Sequence, residues 1–145
     1  MKDITMPRVS LAFFIFAALC GTIGMGWGIF MGITQDHSTF SAHAHLNLLG
    51  WVSCALMGAF YALADGRAPR ILPWVNFGLS ITGPIFMIPA LTAKIKGASD
   101  IGVALGVAIG AFGSFFGMCC FLATIIIVAR KSFAPTIRTP LAIAG

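Results

Sequence analysis

Four long runs of apolar side chains, separated by three short polar intervals, set the pattern of the chain. They cover residues 9–33, 43–64, 71–93 and 101–129. The first three contain no Lys, Arg, Asp or Glu, and the fourth has none before Arg130. A helix rises about 1.5 Å per residue, so each run is long enough to cross roughly 30 Å of bilayer hydrocarbon. The intervals TQDHSTFSA, DGRAPR and KIKGASD are short, which restricts sequential helices to antiparallel neighbours. Ser99 or Asp100 is suited to cap the fourth helix. The pattern predicts an all-α fold, a four-helix transmembrane bundle forming one membrane domain over residues 1–145, with 130–145 as a tail.

Composition supports that reading. The 145 residues are 59% hydrophobic and 9% charged, with no Glu, whereas a soluble domain carries about a quarter charged residues. The N-terminal apolar stretch runs far past the core of a secretory signal, so a retained helix is expected. Leu19 before Cys20 does not fit a lipoprotein site. Cations set the expected orientation. Lys2, Arg8, Arg67, Arg70, Arg130, Lys131 and Arg138 fall on one side, with both termini, and that side is expected to be cytoplasmic. The opposite side holds Lys94 and Lys96 with the histidines. The expected location is the bacterial inner membrane, with the histidines toward the periplasm. The net charge of +5 then requires no nucleic-acid partner. The four cysteines lie within spans and suggest no secreted disulfide framework, and the absence of CxxCH argues against covalently attached haem. Cys119 and Cys120 read as small apolar fillers.

Glycine and proline shape the helices. Gly24, Gly28 and Gly32 repeat every four residues in the first, as do Gly102, Gly106 and Gly110 in the fourth, before Gly113 and Gly117. Small-residue ridges allow close helix approach, and their length leads us to expect surface for self-association as well. Pro73, Gly83-Pro84 and Pro89 predict a bent third helix.

The chemistry concentrates in the second run. All three histidines, His37, His43 and His45, lie within nine residues, and such groups at a membrane span are functional candidates. Residues two apart on an α-helix point about 200° from each other. His43 heads the row Asn47, Gly50, Cys54, Met57, Tyr61, which is expected to face inward. His45 heads Leu48, Val52, Ala55 and Ala59, an apolar row suited to lipid, a cofactor or another subunit. Imidazole suits haem iron, copper or zinc. Haem needs one or two axial ligands and an apolar, aromatic slot, which thirteen Phe and three Trp could supply. Asn47 and Trp51 stand beside the histidines as candidate cofactor contacts, and Lys94 and Lys96 as partners for propionates. Asp36-His37 reads as an orientation pair or a wet turn.

The stretch AHAHLNLLGWVSCALMGAFYAL resembles the second transmembrane helix of the haem-copper oxidase catalytic subunit, which carries an axial ligand of the low-spin haem. Aligned on His43, the Ala42-His43-Ala44 step, Ala55-Leu56-Met57-Gly58 and Phe60 match that helix, and the ligand role passes to His43. Aligned on His45, His45-Leu46-Asn47-Leu48 is similar to the HxNL variant of nitric-oxide-reductase-like members. The resemblance covers about 20 residues. The family's subunit has about twelve helices and further histidines, so it does not carry oxygen reduction over to this chain. It implies a protein like one four-helix arc of that subunit, binding haem b in electron transfer or gas-ligand binding. A homo-oligomer, trimer or dimer, would bring histidines of different copies to one haem, with a redox partner or respiratory complex beyond it. Two alternatives stay open: a non-catalytic accessory or assembly subunit of a respiratory complex, and a copper-handling membrane protein using His37, His43, His45 and Met31.

Overall fold

The computed structural model describes residues 6–64 and 66–133; Lys2 and Arg138, and most of the expected tail, lie outside them. Four helices are long and apolar enough to cross a membrane: α1 (Arg8–Thr34), α2 (Phe40–Leu63), α3 (Leu72–Ile95) and α4 (Ile101–Phe133). The described residues contain no strand. The expected boundaries agree with these within four residues.

The helix ends are specified locally. Asp100 caps α4, its Oδ1 accepting the Val103 N–H at 3.1 Å, the usual N-cap partner. At the end of α3, Ala98 N–H donates to the Ala93 carbonyl and Gly97 N–H to that of Lys94, both at 3.0 Å. This double closure needs a left-handed residue at Gly97, whose φ is 97°. α1 stops at Gln35, the described non-glycine residue with positive φ (54°), whose amide donates to the Gly32 carbonyl at 2.6 Å.

α1 packs on α2, α3 packs on α4, and α2 and α3 join the two pairs. One core cluster, around Phe13, Cys54, Met57 and Tyr61, lies toward the termini; the other, around Cys20, Ala42, Leu46, Met87 and Ile88, lies toward the histidines. Glycines allow the close approaches. The Ser10 hydroxyl donates to the Gly58 carbonyl at 2.7 Å. A Cβ on Gly58 would stand 3.1 Å from that of Phe13. In α4, Cβ atoms on Gly106, Gly110, Gly113 and Gly117 would meet Ala90, Met87, Thr82 and Ser80 of α3. From Gly106 to Gly117 the α4 ridge is therefore used for packing inside the chain, whereas Gly102 meets only Asp100 of its own helix start. In α1, Gly24 and Gly28 likewise meet α2, while Gly32 is open.

Two helices depart from regular α geometry at facing points. α2 widens into a π-helix over Leu46–Ser53 and α3 over Gly83–Met87, and these segments touch. The second follows from Pro84, which removes the N–H that would reach the Ser80 carbonyl. The wider turn in α2 changes the expected inward row. The buried positions are Ala42, Leu46, Gly50, Cys54, Met57, Gly58 and Tyr61. His43 and Asn47 move from the centre of that row to its half-buried edge.

Candidate functional site

The histidine end combines α1, the start of α2 and the turn at 35–39. His43 faces α1. Its ring packs edge-on to Trp27, with centroids 6.1 Å apart, and its Cε1 lies 3.3 Å from where a Gly28 Cβ would stand. Glycine at 28 therefore gives the imidazole its place. Asn47, one turn on, donates Nδ2–H to the His43 carbonyl at 2.9 Å. The same nitrogen lies 3.3 Å from ring Nε2 and 3.5 Å from Nδ1. Gly24 leaves the space that Asn47 fills. Both faces of the His43 environment are thus occupied by this chain's own groups.

His45 differs. It is exposed, and its Nδ1–H donates to the Ser41 carbonyl one turn earlier at 2.7 Å. A carbonyl can only accept, so the neutral ring carries its proton on Nδ1 and keeps the Nε2 lone pair for a ligand. Among the described residues Nε2 has no hydrogen-bond partner. An imidazole prepared in this way is the form that ligates metals. Leu48, Trp51 and Val52 are exposed on the same helix. The Trp51 indole also lies over Gly21 of α1, 3.1 Å from where a Cβ would stand.

His37 belongs to the wet turn. Its Nδ1–H donates to the Gln35 carbonyl at 3.3 Å, and the Asp36 carboxylate accepts the Ser38 N–H at 2.9 Å. Those Ser38 bonds, with Lys96 and His37 nearby, hold the Asp36 carboxyl below the usual carboxylate range. Met31 is buried, its sulfur accepting from the Thr39 hydroxyl at 3.8 Å. Among the described residues no three His, Cys, Asp or Glu side chains converge as metal ligands. Lys94 and Lys96 are exposed at the end of α3. Lys94 borders a cavity of about 510 Å³ between the ends of α3 and α4 that includes none of the histidines.

A second polar group in the membrane-spanning region was not picked out from the sequence. Asn76 of α3 is fully buried and donates to the Tyr61 hydroxyl at 2.8 Å and the Met57 sulfur at 3.5 Å. Its carbonyl oxygen accepts from Ser80 at 2.9 Å. One signal was available: Asn47 and Asn76 are the chain's two asparagines, and both fall within spans. Beside this network Ser53, Ser80 and Ser114 line a cavity of about 20 Å³. The buried Ser114 hydroxyl has no partner among the described residues.

Comparison with protein-family models, curated proteins and solved structures gives no match to this chain.

Proposed function

We propose that this chain is a haem b-binding membrane protein serving electron transfer or gas-ligand binding, with histidine ligation at the outer end of α2. The observation that carries this reading is the state of His45. Its proton is held by the Ser41 carbonyl, its Nε2 is available, and exposed Leu48 and Val52 continue along its helix. A flat porphyrin needs such an apolar surface beside an oriented imidazole. Bound haem would supply a one-electron couple or an iron site for a small gas.

The geometry favours His45 over His43 as the first ligand, reversing the order suggested by the resemblance and the inward row. His43 is packed against Gly28 and Trp27 and overlaid by the Asn47 amide, so it acts as a positioning group for the start of α2. One copy then offers one axial ligand on its exposed face. A second copy presenting its own His45 would complete bis-histidine ligation, which supports a homo-oligomer, dimer or trimer. The many cations at the terminal end support cytoplasmic termini and an outward histidine end. Lys94 and Lys96 share the histidine end and are suited to propionates.

The test is a reduced-minus-oxidised spectrum with a pyridine haemochrome assay on protein made with adequate haem supply. We expect a b-type spectrum, lost in His45→Ala and kept in His43→Ala. A porphyrin-free wild type refutes haem binding. Loss in His43→Ala with retention in His45→Ala refutes the ligand assignment alone.

The exposed aromatic face of α4, Phe112, Phe115 and Phe116, favours a second reading. A respiratory complex could dock this chain there as an accessory subunit. A colourless protein that co-purifies with a larger membrane complex would support it.

A further inference from the structure

A cavity of about 330 Å³ lies at the terminal end, away from the histidines, between the starts of α1 and α3. Its lining includes Arg8 and Arg70, with Pro7, Tyr61, Pro73 and Trp74. No Asp or Glu among the described residues borders it. We propose that this cavity binds the phosphate group of an anionic phospholipid, held between the guanidinium groups of Arg8 and Arg70.

Three features lead to this assignment. First, two arginines on different elements, Arg8 of α1 and Arg70 of the connection before α3, line one cavity of ligand-binding size. Planar guanidinium forks match phosphate oxygens in a bidentate fashion. Second, the positive end of α1 borders the same space. Its start at Pro7 has no side-chain cap, and an uncapped helix start attracts anions. Third, the remaining walls are apolar or aromatic. Trp74 is 47% exposed at the end of its span, the depth at which Trp lies among headgroups. A free phosphate ion would use the cations and leave these walls unused, whereas a lipid would also use the walls.

Arg67 provides an internal control. It lies in the same connection but does not line the cavity. Its Nη1–H donates to the Ser132 hydroxyl at 3.0 Å, its Nε–H donates to the Ala64 carbonyl, and its own carbonyl accepts from Lys131.

Native mass spectrometry of the full chain in mild detergent can test this, using phosphatidylglycerol and phosphatidylcholine with identical acyl chains. We expect the wild type to retain phosphatidylglycerol about tenfold over phosphatidylcholine: both lipids carry the phosphate, but the choline ammonium beside it is repelled by the two arginines, and a repulsion of about 1.4 kcal/mol is that factor. The Arg8→Gln/Arg70→Gln pair should abolish the preference, and Arg67→Gln should preserve it. Equal retention of the two lipids by the wild type overturns the proposal, whether or not any variant folds. Equal loss in Arg67→Gln overturns it in favour of diffuse charge attraction. Binding of inorganic phosphate with no lipid preference overturns the assignment to lipid. If the double variant does not fold, Arg70→Lys serves in its place. It keeps the charge but loses the bidentate fork, and should lower the preference severalfold; an unchanged ratio there refutes the two-arginine grip.

Discussion

Gly110→Ala adds one methyl group to α4 at its closest approach to α3. The new Cβ would stand 2.7 Å from the Met87 backbone nitrogen and 3.0 Å from its Cα. The first distance is about 0.7 Å short of ordinary contact, and the obstacle is backbone, which cannot rotate aside. The two helices must therefore separate along the line where Ala90, Thr82 and Ser80 meet Gly106, Gly113 and Gly117. Overpacking costs about 1–3 kcal/mol, and an obstacle made of backbone puts this site in the upper part of that range, about 2–3 kcal/mol, partly offset by about 1 kcal/mol from the better helix propensity of alanine. The expected net loss is about 1–2 kcal/mol. Gly32→Ala is the matched control, because a Cβ there meets nothing within 4 Å. It should be neutral or gain up to about 1 kcal/mol. Reversible unfolding in mixed detergent micelles, followed by far-UV circular dichroism, measures both. If Gly110→Ala is as stable as the wild type, or Gly32→Ala loses more, the assignment of the α4 glycines to intrachain packing is refuted.

Asn76→Ala removes the 2.8 Å bond to Tyr61 and the 2.9 Å bond from Ser80. Interhelical bonds in membranes contribute about 0.6 kcal/mol on average and up to about 1.7, so a loss of about 1–2 kcal/mol is expected in the same unfolding assay. A double-mutant cycle with Tyr61→Phe should show positive coupling, and zero coupling would dismiss the pair. Replacing Lys94 and Lys96 together by Gln should weaken haem retention in a haem-transfer assay with apomyoglobin; unchanged retention removes their propionate role. The Asp36 carboxyl should titrate below the ordinary aspartate range by carbon-13 NMR, because the folded turn favours its charged form. The stabilisation is present above the ordinary value and lost as pH falls through the lowered one. A midpoint at or above the ordinary value contradicts the Ser38 hydrogen bonds.

The four spans and the polar turns between them were legible in the sequence, because a bilayer demands about twenty uncharged apolar residues per crossing whatever the neighbours do. The Asp100 cap was legible for a similar reason: capping is local, and the three residues after it define its geometry. The opposed directions of His43 and His45 also follow from helical periodicity and persist in the structure as half-buried against exposed. Tertiary structure decided what periodicity could not. The π turn over Leu46–Ser53 moves His43 from the buried row to its edge. A strict 3.6-residue period contains no sign of that turn, since it arises where α2 meets the proline-disrupted segment of α3. Which glycines are filled, and that Asn76 finds Tyr61, depends likewise on how the helices lie against one another. The resting place of the histidine proton is settled at shorter range, by a carbonyl one turn away from His45. Sequence alone fixes the spans because the solvent imposes their length; it leaves the partners open because each is chosen by a neighbouring backbone far away in the chain.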